Sequence, residues 1–271
     1  MSYPTSADAQ GSCASGGKGG QAVRLRCSVV IPVYNHEKYI RECVESVLSQ
    51  SVSELEVLVI DDCSTDDTPE IVSRLAEADP RIRFIRLEQN GGVAHARNLG
   101  VRMASADWVA FLDSDDSWKS EKLAKELALA EQSGAGLIYT GFVCTDTEGN
   151  EWKRSFSVPP AITYRDMLRG NDIVTSSVLA RRELLLAHPM ADGDFHEDFV
   201  CWLSLLRDGC KAVGVLTPLV NFRRYPSSRS GNKLRSMLYA WRSYRMVGLG
   251  PLSCARYLWA NAWHGIRRYL L

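Results

Sequence analysis

Asp113-Ser114-Asp115-Asp116 puts three carboxylates into four positions, directly after the apolar run Trp108-Val109-Ala110-Phe111-Leu112. Such groups repel one another and gain nothing from packing, so a chain that sets them at the mouth of a buried strand commonly neutralises them with a cation. In an extended backbone Asp113 and Asp115 point the same way. That suits a hard divalent ion whose other ligands are water and a substrate phosphate. A turn capping a helix that begins near Lys119 would use the same residues, and both readings stand at this level.

Four other groups could do chemistry. Asp61-Asp62 close the run Leu55–Ile60, where a carboxylate can accept from a ribose hydroxyl or a base imide, or form an Asx turn. Asn90-Gly91-Gly92 precedes a helical pattern, a place where backbone amides favour phosphate or where the chain merely turns. It is not GxGxxG, so no dinucleotide fingerprint is present. Glu197-Asp198 opens a helix as either a general base or acids facing the helix dipole. Arg223-Arg224-Tyr225 with Ser228, Arg229 and Ser230 could close over a diphosphate or form a solvated basic turn. The five histidines have no ligand spacing.

The elements that must hold these groups alternate. Cys27–Val33 is a continuous apolar run, the pattern of a strand buried on both faces. A helical stripe (Tyr39, Ile40, Cys43, Val44, Val47, Leu48) follows, then strand Leu55–Ile60 and a helix with Pro69 in its first turn, capped by Thr65 or Asp66. Strand Ile82–Leu87, helix Gly92–Ala104, strand Trp108–Leu112, a helix over 119–132 and strand Leu137–Cys144 complete the first half. This rhythm predicts an α/β fold with a mostly parallel sheet flanked by helices, its ligand across the carboxyl ends of the strands. Tyr34-Asn35, Asp61-Asp62 and Asp113–Asp116 then converge at one edge. Past Gly149 the pattern is less regular. Ile173–Leu179 reads as a strand, as do Cys210–Leu216 and Leu219–Tyr225, forming an acceptor region on the same sheet.

Composition narrows the class. The 271 residues are 45% hydrophobic and carry zero formal charge, which supports a globular core and gives no electrostatic case for a nucleic-acid partner. Eight cysteines without a CxxC pair point to reduced thiols in a cytoplasmic protein rather than a disulfide framework or zinc site. No apolar run approaches the roughly 18–20 residues that span a bilayer. Residues 1–25, rich in Ser, Gly and Ala, read as a disordered leader.

Several of these segments, in order, resemble the family 2 inverting glycosyltransferases of GT-A fold: Val29-Val30-Ile31-Pro32-Val33-Tyr34-Asn35, Glu45–Gln50, Val59-Ile60-Asp61-Asp62-Cys63-Ser64-Thr65-Asp66, Asn90-Gly91-Gly92 with Ala96-Arg97-Asn98, and Asp113–Asp116. Glu197–Leu203 is similar to that family's acid segment before a tryptophan, and Arg223-Arg224 with Ser228 and Ser230 to its closing segment. Two departures are Cys63, where Gly or Asn is commoner, and Val200-Cys201 before Trp202. The resemblance implies a catalytic domain over 26–231, with a nucleotide-sugar half (26–145) and an acceptor half (146–231), followed by a helical segment over 232–271. It implies a nucleotide-diphosphate sugar donor, UDP-linked by expectation, with Mn²⁺ or Mg²⁺, and a glycan or lipid-linked glycan acceptor of bacterial surface-polysaccharide type. By position, Pro32 and Tyr34 would border the base with Asp62 and Arg97 near it, Asp113 would meet the ribose, and Arg224 the diphosphate. Asp115 would hold the metal, and Asp198 would deprotonate the acceptor hydroxyl.

Three readings compete. A receiver-like signalling domain also places acids at strand ends but leaves Glu197 onward unexplained. A sugar-phosphate nucleotidyltransferase usually has a Gly-rich loop where this chain has Pro32-Val33-Tyr34-Asn35. A non-catalytic sugar-nucleotide-binding relative would have no need of both Asp115 and Asp198. In 253–271, Tyr257, Leu258, Trp259, Trp263 and Ile266 share a helical face bordered by Arg256, Arg267 and Arg268. That pattern suits peripheral contact with the inner face of the cell membrane, or packing on the domain or on a second subunit.

Overall fold

The computed structural model describes residues 25–224 and 233–270. All but the last residue of the expected leader, and Tyr225, Ser228, Arg229 and Ser230, lie outside that range.

Strand β1 (Cys27–Val33) is buried along its whole length, and its side chains alternate between two cores. Val29, Ile31 and Val33 pack with one apolar layer and Val30 with the other, as a period of two requires. Helix α1 (Ile40–Leu48) returns along the first layer, burying Ile40, Cys43, Val44 and Val47 at helical spacing. β2 (Leu55–Asp61) then pairs parallel to β1, from Cys27 opposite Leu55 to Val33 opposite Asp61. Helix α2 (Thr68–Ala78), with Pro69 in its first turn, leads to β3 (Ile82–Arg86), parallel to β2. The N-cap is Asp67, without a side-chain cap, and not Thr65 or Asp66; Asp66 Oδ1, one residue earlier, accepts from Thr68 N at 3.0 Å. Helix α3 (Val93–Met103) crosses the second face at contact distance. A Cβ on Gly100 would stand 2.4 Å from Val30 Cγ1, so only glycine allows that approach. β4 (Trp108–Phe111) pairs parallel to β1 on its other side.

The short β5 (Ser117–Trp118) and helix α4 (Lys122–Ser133) precede β6 (Leu137–Thr145), β7 (Glu151–Phe156), β8 (Ala161–Ile162) and helix α5 (Tyr164–Arg169). After a 3₁₀ turn at Thr175–Ser177 come β9 (Val178–Arg181), α6 (Arg182–Ala187), α7 (Glu197–Arg207) and β10 (Ala212–Arg223). α8 (Lys233–Met246) and α9 (Pro251–Leu270) close the chain. The sheet order is β3-β2-β1-β4-β9-β6-β10-β5, with β7 and β8 attached to β6 and β10. β3, β2, β1, β4, β6 and β10 run one way, and β9 and β5 run against them. The fold is therefore the α/β, mostly parallel open sheet that the strand–helix rhythm predicts.

Two expected elements differ. Ile173–Leu179 is not one strand: its three hydroxyl residues, all buried, form the 3₁₀ turn, and only Val178 onward pairs. The two strands expected over 210–225 are one, because β10 stays paired to β6 through register shifts on either side of Pro218. Pro218 lacks a ladder donor, and an irregularity absorbs that loss without ending the strand.

Candidate active site

The carboxyl ends of β1, β2 and β4 meet at one edge, and side-chain hydrogen bonds lock their loops together. Asn35, at φ 54°, accepts from Thr65 N through Oδ1 (2.8 Å), and its own N–H donates to Ser64 Oγ (2.9 Å). Cys63 sits at φ 67°, the left-handed region, which is why glycine or asparagine is easier there. Pro32 lies buried within β1 and Tyr34 stands 46% exposed just beyond it.

Asp61 and Asp62 separate in role. Asp61 is fully buried; Oδ1 accepts from Ser64 N three residues on (3.1 Å) and Oδ2 lies 3.3 Å from Arg86 Nε, so it holds the turn after β2. Asp62 accepts from Gly91 N through Oδ1 (2.7 Å) and from Gly92 N through Oδ2 (2.9 Å), while Asn90 Nδ2 donates to its carbonyl (3.0 Å). The two glycine amides therefore serve a carboxylate of the chain itself and not a phosphate. Gly92, at φ 85°, makes this turn possible.

The acidic cluster follows β4. Asp113 and Asp115 are half-buried, and Asp116 is buried. Asp116 accepts from Ser176 Oγ at 2.6 Å and from Arg223 N at 2.8 Å. Burial, then the charges of Asp115 and Asp113, push its carboxyl well above the ordinary range. A divalent cation among these groups would relieve that repulsion. Among the described residues no group of three or more His, Cys, Asp or Glu is arranged to hold a metal by itself. The part-exposed carboxylates of Asp113 and Asp115 are hard oxygen donors, the chemistry of an ion bound through one or two carboxylates with water and phosphate completing its shell.

Glu197 and Asp198 open α7, and two devices bring them to the cluster. Trp202, one turn further on, is fully buried with its ring 6.2 Å from that of Phe111, the last residue of β4. Arg97, from α3 and 4% exposed, donates through Nη2 to Asp113 Oδ1 (2.6 Å) and through Nη1 to Glu197 Oε1 (3.0 Å). Burial alone would lower the guanidinium's pKa; Asp113, Glu197 and Asp198 outweigh it and hold the group protonated.

The 3₁₀ turn completes the link. Thr175 Oγ1 donates to Asp198 Oδ2 (2.7 Å), whose Oδ1 accepts from Phe199 N (2.7 Å). Ser176 Oγ accepts from Asp113 N (3.1 Å) while donating to Asp116. One turn thus touches both the acidic cluster and the candidate base. Sequence reasoning missed it; the visible signal was three consecutive hydroxyls inside an otherwise apolar segment.

Arg223 and Arg224 also divide. Arg223 is buried; it donates to Asp115 O (2.8 Å) and Glu42 Oε2 (2.7 Å) and lies over the Tyr39 ring at 4.6 Å. It clasps the acidic loop from below and is not placed to close over a ligand. Arg224 is half-buried, its N–H donating to Thr145 O (2.9 Å).

Residues 28–185 match the family model described as glycosyl transferase family 2. The chain is 36% identical over 220 residues to a protein named putative teichuronic acid biosynthesis glycosyltransferase TuaG of Bacillus subtilis (strain 168), covering 81% of this chain and 87% of the relative. It is 31% identical over 230 residues to the Escherichia coli UDP-Glc:alpha-D-GlcNAc-diphosphoundecaprenol beta-1,3-glucosyltransferase WfaP, covering 82% and 86%. The crystal structure of S. aureus TarS 1-349 in complex with UDP-GlcNAc superposes at a TM-score of 0.70 with 21% identity, covering 91% of this chain and 76% of that one, a likeness of fold. These matches set aside the signalling and nucleotidyltransferase readings. With the family model spanning more than half its length and the relatives more than four fifths of it, the chain belongs to glycosyltransferase family 2 and is a glycosyltransferase.

Proposed function

We propose that the protein transfers a sugar from a UDP-linked donor to a hydroxyl of a lipid-linked glycan in one inverting displacement, with Asp198 as base. The observation that carries this reading is the Thr175–Ser176 turn. It ties Asp198 to the same small region as Asp113 and Asp116, so a base and an acidic cluster stand around one space. The Escherichia coli relative's name specifies UDP-glucose and a diphosphoundecaprenol-linked acceptor, which supports the donor and acceptor classes. The free thiols of all seven described cysteines suit a cytoplasmic location.

In this reading Pro32 and exposed Tyr34 border the base. Asp62, both of whose carboxylate oxygens hold the glycine loop, lies beside it. Asp113, fixed by Arg97, meets the ribose, and Arg224 approaches the diphosphate. Asp115 is the ligand for Mn²⁺ or Mg²⁺, whose chemistry, when bound, is to neutralise charge on the departing diphosphate. Asp198 takes the proton from the acceptor hydroxyl as that oxygen attacks the anomeric carbon. Glu197 is neutralised by Arg97, so Asp198 is the acid of the pair left to act. A positioned base of this kind contributes about 10²–10⁴-fold. Attack from the face opposite the leaving group inverts the anomeric configuration.

The test is incubation with a panel of nucleotide sugars and a lipid-linked acceptor, scoring nucleoside diphosphate release with and without Mn²⁺. Acceptor-stimulated, metal-dependent release of UDP is expected. Release of nucleotide monophosphate, or none with any donor, would contradict the reading.

A further inference from the structure

Four large apolar side chains of α9 face away from the protein. Leu252 is 89% exposed, Trp259 73% and Trp263 50%, and these fall with Ile266 on one face at helical spacing. The two tryptophan rings stack in parallel, 6.3 Å apart. What packs inward is the opposite face, where Cys254 is fully buried and Tyr257 and Leu258 lie against the core. Asn261 Nδ2 donates to Tyr244 Oη (3.3 Å), Tyr257 O lies 3.4 Å from the same oxygen, and His264 Nε2 is 2.9 Å from Asp172 Oδ1. Tyr257 and Leu258, packed against the core, therefore leave the outward face on which their spacing had placed them. α8 extends the apolar surface: Met237 and Leu238 are about half exposed, and Trp241, Leu258 and Arg235 line the groove between the helices.

Charge follows the same division. After Ser230 the chain holds seven lysines and arginines and no aspartate or glutamate, which leaves the remainder net acidic. Arg256 and Arg267 are exposed along one border of the tryptophan face. A hairpin that shows aromatic and apolar groups outward, bordered by the exposed Arg256 and Arg267, is complementary to an anionic, half-apolar layer. Two copies meeting through this face would instead oppose like charges across a twofold axis.

We propose that the α8–α9 hairpin is a membrane-docking surface that lies in the headgroup layer of a bilayer containing anionic phospholipid. Rings of this kind bury at the headgroup–acyl boundary while arginines meet lipid phosphates. Among the described residues no helix is long and apolar enough to cross a membrane, so the contact is interfacial. The hairpin is also braced against the candidate base. α8 packs on α7, His196 N donates to Ser243 Oγ (3.1 Å), and the Phe199 and Tyr244 rings meet edge to face at 5.7 Å. Docking would hold the acceptor side of the site at a fixed distance from the lipid surface. The inference rests on the hairpin itself and not on the acceptor assigned above.

The test is co-sedimentation of the full-length protein with phosphatidylcholine vesicles, with and without phosphatidylglycerol, at low and high salt. Binding should require phosphatidylglycerol and weaken with salt. The pairs Trp259→Ser with Trp263→Ser, and Arg256→Glu with Arg267→Glu, should each lower the partition coefficient about tenfold or more, with thermal midpoint and donor cleavage in solution unchanged. Failure of the full-length protein to bind at low salt, or equal binding by both variant pairs, would overturn the proposal. So would self-association that the tryptophan pair abolishes in a protein that ignores vesicles. Loss of donor cleavage in every protein, with vesicle binding intact, would count against the transfer reading alone.

Discussion

At the scale of single residues, the site depends on how each carboxylate is held and how far it stays exposed. Asp61 and Asp116 are buried and hold loops, Asp62 holds the glycine turn, and Glu197 is bound to Arg97. Asp113 and Asp115 keep partial exposure beside them. Asp115→Ala is expected to cut turnover by at least 10²-fold, about 3 kcal/mol, the scale of losing a principal electrostatic stabiliser. Steady-state rates with and without Mn²⁺ check this; near-normal metal-dependent activity would remove Asp115 from the metal. The sequence displayed all of these acids, since Asp-Ser-Asp-Asp after an apolar run is a local pattern. It did not display their pairings. Asp62 and Gly91-Gly92 were both visible as candidate ligand groups, yet they satisfy each other across nearly thirty residues of chain. A motif read position by position cannot reveal that.

At the scale of elements, the regular strands were legible because burial on both faces demands unbroken apolar runs, as in Cys27–Val33 and Leu55–Asp61. The pieces that were not legible take their structure from distant partners. β5 and β8 are two-residue strands that exist because β10 pairs with them, and the Thr175–Ser177 turn is satisfied by Asp113, Asp116 and Asp198. Ser176→Ala strips the hydroxyl partner from a buried carboxylate and from Asp113 N. A loss of about 1–3 kcal/mol is expected in urea unfolding, with reduced turnover. Helix α4 carries a second hidden device: Lys122 and Glu126, both fully buried, pair at 2.7 Å beneath Trp118. Burial pushes the glutamate up and the lysine down, so neither charge is held cheaply. Lys122→Met should cost about 3–5 kcal/mol at neutral pH, whereas Lys122→Met with Glu126→Leu should restore most of it. The single variant leaves a carboxyl whose folded pKa lies above its ordinary 4.5. Its favourable contribution is complete below that value and is lost as pH rises, so the deficit should be smaller at acid pH than at alkaline pH. Unfolding curves across that range check the sign.

At the scale of the molecule, one ten-stranded sheet carries both groups of site residues. β4 delivers Asp113 and Asp115, and α7, seated on β4 through Trp202 and Phe111, delivers Asp198. Arg97 and the Thr175–Ser176 turn span the two, which joins both groups at one sheet edge. The order of segments along the chain was enough to identify the sheet and the family. The bridging was invisible because it joins residues up to a hundred positions apart. The central claim is that Asp198 acts on the acceptor and not on the donor. The most direct measurement is a comparison of Asp198→Asn with the unaltered protein, taking donor Kd by calorimetry and transfer rate by product formation. Transfer reduced at least 10²-fold with an unchanged donor Kd is the expected result. A donor affinity that falls in step with the rate, or transfer that persists, would contradict the assignment.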